Sequence, residues 1–164
     1  MKLRKGELIE LTIEKMAYGA HGIGRIDDFV VFVRSAVPGD RITARIYKKK
    51  RAYAEAEIVE LITPSPDREK PLCPFIGYCG GCQWQQIRYE KQLQYKREQV
   101  KESLEHIGGL KDVPVLDTIP SEDIFAYRNK MEFSFSDLRW FLPEELDRRE
   151  LEGNFAFGLN VPGT

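Results

Sequence analysis

Apolar and polar positions alternate along the first third of the chain, with the two-residue period of half-buried strands. In "ELIELTIEK" (7–15), Ile9, Leu11 and Ile13 fall on one face and Glu10, Thr12 and Glu14 on the other. "YGAHGIGR" (18–25) follows, and its glycines read as a strand break with freedom for positive φ. "FVVFV" (29–33) reads as a buried run and "VPGD" (37–40) as a turn. "RITARIY" (41–47) alternates again with Ile42, Ala44 and Ile46 inward, and "YAEAEIVELI" (53–62) completes the set. Short strands at close spacing with Gly/Pro turns predict a small barrel.

The pattern then changes. "TPSPDREKP" (63–71) carries three prolines among charged residues and reads as an extended linker. A helix is predicted from about Gln86 to Ile107, because Tyr89, Leu93, Val100, Leu104 and Ile107 recur at helical spacing, with Gly108 and Gly109 to end it. "YRNKMEFSF" (127–135) alternates strongly and predicts a strand with Met131, Phe133 and Phe135 inward and Arg128, Lys130, Glu132 and Ser134 outward. "RWFLPEELDRRELEG" (139–153) is a charged insertion, and "NFAFGL" (154–159) reads as one more strand. No internal repeat or low-complexity tract appears.

Composition narrows the class. An apolar share of 42% permits a packed core, and a charged share of 31% fits a well-solvated surface. No apolar run approaches membrane length, so no membrane partner is expected and a cytoplasmic location is the default. In that reducing compartment, clustered thiols read as metal or redox groups before disulfides. The net charge of −1 selects no partner; two local clusters do better.

All three cysteines lie in "CPFIGYCGGC", at Cys73, Cys79 and Cys82. Thiolates are soft ligands suited to Zn²⁺ or iron–sulfur, and Gly77, Gly80 and Gly81 permit sharp turns that let sulfurs converge. A Cys79/Cys82 redox pair and plain burial as small hydrophobes are the alternatives; spacing does not separate zinc from iron–sulfur. The second cluster is basic: Arg41, Arg45, Lys48, Lys49, Lys50 and Arg51 with Tyr47 and Tyr53 interleaved, and no acid between Arg41 and Tyr53. Phosphates favour the charge and unstacked bases the rings, although a solvated hairpin tip is the usual fate of a lysine run. "GAHGIGR" is no phosphate-binding fingerprint, since neither a βαβ unit nor GK[ST] follows, and His21 and His106 stand far from the cysteines in sequence.

Taken together, these residues resemble the N-terminal half of the S-adenosylmethionine-dependent RNA uracil-C5 methyltransferases. Residues 19–61 look like that family's TRAM domain, an oligonucleotide-binding barrel. "REKPLCPFIGYCGGC" matches its cysteine block, "YEKQLQYK" follows as in the family, and "YRNKMEFSF" matches its central-domain strand. The resemblance implies a [4Fe–4S] cluster with Cys73, Cys79 and Cys82 as three of four ligands; "FGLNVPG" matches the segment that usually precedes the fourth. It places the S-adenosylmethionine domain, the cysteine that attacks uracil C6 and the carboxylate base downstream, so this chain alone is expected to be inactive. The expectation is a β-rich α+β chain. Residues 1–63 would form a five-stranded OB-like RNA-binding barrel and 64–71 a linker. Residues 72–164 would form a partial iron–sulfur domain with one long helix, incomplete at its C-terminal end. Expected partners are RNA, with 23S ribosomal RNA favoured over transfer RNA, and the methyltransferase domain; Arg128 and Lys130 join the basic stripe as expected RNA contacts. The alternative is a free-standing RNA-binding adaptor with a zinc or partial-cluster site and no activity.

Overall fold

In a computed structural model, the structure describes residues 3–142, 145 and 155–161. Five strands close into a barrel: β1 (Leu8–Met16), β2 (His21–Ile26), β3 (Phe29–Arg34), β4 (Arg41–Lys49) and β5 (Tyr53–Thr63). Their order is β1-β2-β3-β5-β4, with β4 returning to β1, and only the β3–β5 pairing is parallel. The predicted five-stranded barrel is therefore present. Its interior is filled by Ile9, Leu11, Ile13, Ile42, Ala44 and Ile46, as alternation predicts, with Val31, Val33, Ala54 and Ala56 opposite them.

Two local readings change. "HGIGRI" is a strand, not a break: a Cβ on Gly22 would stand 2.8 Å from both Ala36 Cβ and Ile13 Cγ2, and one on Gly24 2.7 Å from the Thr12 carbonyl oxygen. These glycines let β1 and β2 pack closely; the turn before them is made by positive φ at Gly19 and Ala20. "FVVFV" is not buried throughout either, because Val31 and Val33 point into the barrel while Val30 and Phe32 lie half-buried on its outside.

One end of the barrel is plugged by a buried carboxylate. Asp40 has no solvent exposure and accepts four hydrogen bonds, from the Val37 and Ser65 backbone amides (2.6 and 2.9 Å) and from Nε and a terminal nitrogen of Arg68 (both 2.7 Å). A buried carboxylate needs such compensation. The proline-rich segment is thus tied to the barrel, and Arg68 also bridges to Ile87. Met16, Val37, Ile87 and Tyr95, with Trp84 against them, form a second apolar cluster on that end.

The helix α1 (Tyr89–Glu102) runs into one π-helical turn, Ser103–Ile107. It begins three residues later than predicted because Gln86 lies buried in a turn and Ile87 is buried in a β-bridge to Arg68. Its docking face is not the predicted apolar stripe. Tyr95 is its one buried residue, and the same side carries Gln92, bonded to the Trp84 and Ile87 carbonyls (3.1 and 2.8 Å), and Gln99, bonded to the Ala17 carbonyl (2.9 Å). Val100 and Ile107, from the predicted stripe, are exposed. Residues 115–121 run along the helix instead, through Arg97 to the Val115 carbonyl, Thr118 to the Leu93 carbonyl and the Ser121 amide to Tyr89 Oη.

The predicted strand at 127–135 is overturned for most of its length. Only β6 (Ser134–Ser136) forms, paired antiparallel with β7 (Ala156–Gly158), which fulfils the "NFAFGL" expectation. Met131, Phe133 and Phe135 are exposed rather than inward, because no described element covers that side. Phe133 and Phe135 instead meet Phe157 across the hairpin, at ring-centroid distances of 4.7 and 5.0 Å. Apart from 139–142 and 145, the charged insertion lies outside the described residues. No helix among the described residues is long and apolar enough to cross a membrane.

Candidate nucleic-acid interface and cysteine loop

The basic stripe follows β4 into the β4–β5 hairpin, but its charges are not equivalent. Strand neighbours invisible in linear sequence bring acids alongside: Arg41 pairs with Glu10 (3.3 Å) and Lys48 with Glu55 (2.7 Å), and Arg45 stands opposite Glu57. The Lys48 hydrogen bond holds the Glu55 carboxyl below the usual range and, reciprocally, raises Lys48. Lys49 turns back so that its ammonium sits 5.0 Å from the centre of the Phe29 ring. Among the described residues, the side chains of Arg45, Lys50 and Arg51 have no hydrogen-bond or ion-pair partner, and they offer the stripe's uncommitted charge.

A β-bulge decides where the aromatics go. Register slips between Ile46 and Lys48, so Tyr47 is the extra residue and both Tyr47 and Lys48 reach the outer face. Tyr47 lies under the Arg34 guanidinium, 5.8 Å from the ring centre, and burial is the main cause of its raised pKa. Tyr53 meets Phe32 edge-on at 5.5 Å. Phe32 and Arg34 thus join Tyr47 and Tyr53, although reading the run as wholly buried passes over them, whereas Phe29 packs against the barrel core. The missed signal was the alternation within 29–34, which marks Phe32 and Arg34 as outward once the run is read as a strand with one buried face.

The cysteines occupy a looped segment between the barrel and α1. Cys73 and Cys79 are partly buried and Cys82 is exposed. The Gly81 amide donates to Cys79 Sγ (3.3 Å), the Cys73 amide to Gln85 Oε1 (3.1 Å), and the Gly80 amide to the Asn160 carbonyl (2.9 Å). Gly81 is close-packed, since a Cβ there would lie 2.5 Å from Leu159 Cδ1. The strip after β7 is therefore folded against the loop, and Trp140 fixes it by donating to the Leu159 carbonyl (2.9 Å) while meeting Phe75 edge-on. Among the described residues, no three Cys, His, Asp or Glu side chains converge on one point as a metal site. The donor set nonetheless suits an iron–sulfur group: three thiols within ten residues and an amide directed at a sulfur.

Arg128 lies beside this loop, donating to the Gly81 carbonyl (3.3 Å) and touching Met131 Sδ. Lys130 pairs with Glu132 (2.9 Å) in full solvent, so no regular strand aligns the two cations with the stripe on β4.

Comparison with known proteins identifies the barrel. Residues 2–59 match the TRAM domain family. The chain is 42% identical to an uncharacterized RNA methyltransferase of Chlorobaculum tepidum across 99% of its own length and 35% of the relative's, and 41% identical to another from Porphyromonas gingivalis across 93% and 34%. It spans about a third of the length of these relatives. Among solved structures, a Pyrococcus abyssi tRNA (uracil-54, C5)-methyltransferase aligns at 26% identity over 58% of this chain and 21% of that one, with a TM-score of 0.40. The chain contains a TRAM domain and is homologous, over nearly its whole length, to proteins named RNA methyltransferase.

Proposed function

We propose, with that homology as the premise, that this chain is the RNA-gripping portion of an S-adenosylmethionine-dependent RNA uracil-C5 methyltransferase. The observation that carries this reading is the coincidence of a closed TRAM barrel with 42% identity to an RNA methyltransferase across 99% of the chain. In this reading the barrel supplies charge for phosphates, through Arg45, Lys50 and Arg51, and ring faces for unstacked bases. Single-stranded ribosomal RNA, 23S in particular, is the favoured substrate over transfer RNA. The methyl group comes from S-adenosylmethionine, and the residues that transfer it belong to the part of the relatives that this chain does not span.

Cys73, Cys79 and Cys82 are the residues that would hold a [4Fe–4S] cluster, whose role here is to fix the loop and the strip from 158 to 161 around one rigid centre. The Cys79 sulfur already accepts the Gly81 amide, the kind of contact that tunes cluster sulfurs.

RNA binding is tested by fluorescence anisotropy of labelled oligoribonucleotides from 23S ribosomal RNA and from transfer RNA over a range of salt. Binding that weakens linearly on log–log axes, and is tighter for the ribosomal strands, is expected; no binding at low salt overturns the reading. Anaerobic reconstitution with iron, sulfide and an exogenous thiol tests the cluster. Iron and sulfide should bind together with visible absorption that Cys79→Ser removes, whereas stoichiometric zinc without iron uptake overturns it.

A further inference from the structure

On the outer face of β2, β3, β5 and β4, the strand registers set four residues in one straight row: Ile23, Phe32, Glu55 and Lys48. Tyr53 lies two residues before Glu55 on β5 and so shares its face, with its ring against Phe32. Tyr47 bulges in from the other side under Arg34. Ile23, Phe32, Tyr53 and Tyr47 are all half-buried, on the outside of a barrel whose interior is already filled. The result is an apolar, ring-bearing patch bordered by cations, and at its centre a single carboxylate whose side chain is only 20% exposed.

Charge bookkeeping makes the carboxylate the unusual feature. A surface that only gathers phosphates gains nothing from a half-buried acid among its rings, since the acid neutralises Lys48, a cation the phosphates could use. An acid in that place has a use where the ligand presents hydrogen-bond donors. Lys48 bonds one oxygen of Glu55 and the Tyr47 hydroxyl also interacts with the carboxylate. Since an ionised carboxylate has about four acceptor positions, capacity remains for about two further donors. Among the RNA bases, guanine offers adjacent N1–H and N2–H donors that fit the two oxygens of one carboxylate, while the uracil edge offers a single N–H between two carbonyls that a carboxylate repels.

We infer that this face is a base-reading pocket: an unpaired guanine stacks on the Phe32–Tyr53–Tyr47 patch and donates from its Watson–Crick edge to Glu55, while Arg34 meets the neighbouring phosphate. The inference rests on the RNA-binding reading and deepens it, since it assigns a base preference to the barrel, at a site separate from any target uridine. It also moves the centre of recognition from the hairpin tip at Lys50 and Arg51 to the middle of the sheet.

The test uses a short fluorescein-labelled all-uridine strand, the same strand with one central guanosine, and a third with inosine there, which lacks the N2 donor. The wild-type chain should bind the guanosine strand roughly tenfold tighter than the all-uridine strand, with inosine between them. Glu55→Gln, which keeps size and one acceptor oxygen, should erase most of that preference, while all-uridine binding should tighten rather than weaken because Lys48 loses its counter-charge. Phe32→Leu keeps apolar volume but removes the ring, and should weaken both strands about tenfold with the far-ultraviolet circular dichroism unchanged. If the guanosine preference survives in Glu55→Gln, or never exists in the wild type, the pocket is refuted while RNA binding stands. Loss of binding on Lys50→Ala/Arg51→Ala with no change in Phe32→Leu would likewise return recognition to the hairpin tip. No binding of any strand at low salt overturns the pocket and the RNA reading together.

Discussion

At the scale of single residues, Asp40 holds several segments at once, fully buried and bonded to Val37, Ser65 and Arg68. Three of its four hydrogen bonds come from Ser65 and Arg68, so it joins the barrel to the segment that follows. Asp40→Ala leaves the Arg68 guanidinium, itself mostly buried, without its carboxylate. Breaking a buried pair from one side costs about 3–5 kcal/mol, and urea unfolding followed by tryptophan fluorescence should show that loss. Gly24→Ala forces a methyl against the Thr12 carbonyl, and overpacking of this kind should lower stability by about 1–3 kcal/mol in the same assay. Charge on the stripe separates by residue as well. Removing Arg45, Lys50 and Arg51 together should flatten the log–log salt dependence of single-stranded RNA binding by about two units. Lys48→Ala should change that slope far less, since Lys48 is already neutralised by Glu55. None of this was legible in "RITARIYKKKRAY", where no acid intervenes; only strand pairing brings Glu10, Glu55 and Glu57 into reach.

At the scale of elements, the barrel was readable and the docking of the helix was not. Ile9, Leu11, Ile13, Ile42, Ala44 and Ile46 carry their inward positions in plain alternation, because a strand with one wet face must show a period of two. Gly22 and Gly24 hid a strand, since a glycine chosen for close packing looks the same in sequence as one chosen for a turn. The helix misled differently. Its apolar stripe is genuine, but α1 reaches the barrel side through Gln99, which donates to the Ala17 carbonyl. It holds the segment before it through Gln92, which donates to the Trp84 and Ile87 carbonyls, and Tyr95, whose hydroxyl donates to Asp67 (2.7 Å). Amphipathicity reports where apolar residues lie, not which carbonyls an amide can reach. Burial first, and then the hydrogen bond to Asp67, push the Tyr95 phenol well above its ordinary value. The protonated phenol is favoured in the folded state, so this stability is fully present below about pH 10, the ordinary tyrosine value. It declines as pH rises towards the folded value. Thermal unfolding between pH 8 and pH 11 should show the decline, and Tyr95→Phe should reduce it while lowering stability at neutral pH by about 1 kcal/mol.

At the scale of the whole molecule, the described residues divide into a closed, well-covered barrel with its docked helix and a long open stretch. From 108 to 133 no helix or strand forms, and large apolar side chains such as Leu116 and Ile119 are more than 80% exposed. Phe135, Phe155 and Phe157 add an aromatic face that is also wet. Exposed apolar surface on this scale favours association. Light scattering on the chain should show mass rising with concentration, and Phe135→Ser/Phe157→Ser should reduce the rise. Limited proteolysis should cut first between 108 and 133 and leave the barrel and α1 joined, because that stretch lacks a hydrogen-bonded ladder. The strand predicted at 127–135 fails for the same reason: alternation in sequence requires a covering layer in space, and the described residues supply only a three-residue partner.

The reach of Asp40 across 28 positions to Arg68 also sets a schedule for the newborn chain. On the ribosome, at roughly 5–20 residues per second, Arg68 follows Asp40 by about 1.5–6 s. During that interval β5 is still emerging, so β3 and β4 wait for the strand between them, and the carboxylate has only the Val37 amide to greet it. Closure of the barrel and neutralisation of its plug therefore arrive almost together, at the end of the same stretch of synthesis. A pause that fell after residue 40 had emerged and before residue 68 had would prolong the one period in which this otherwise edgeless barrel offers open strands to its neighbours.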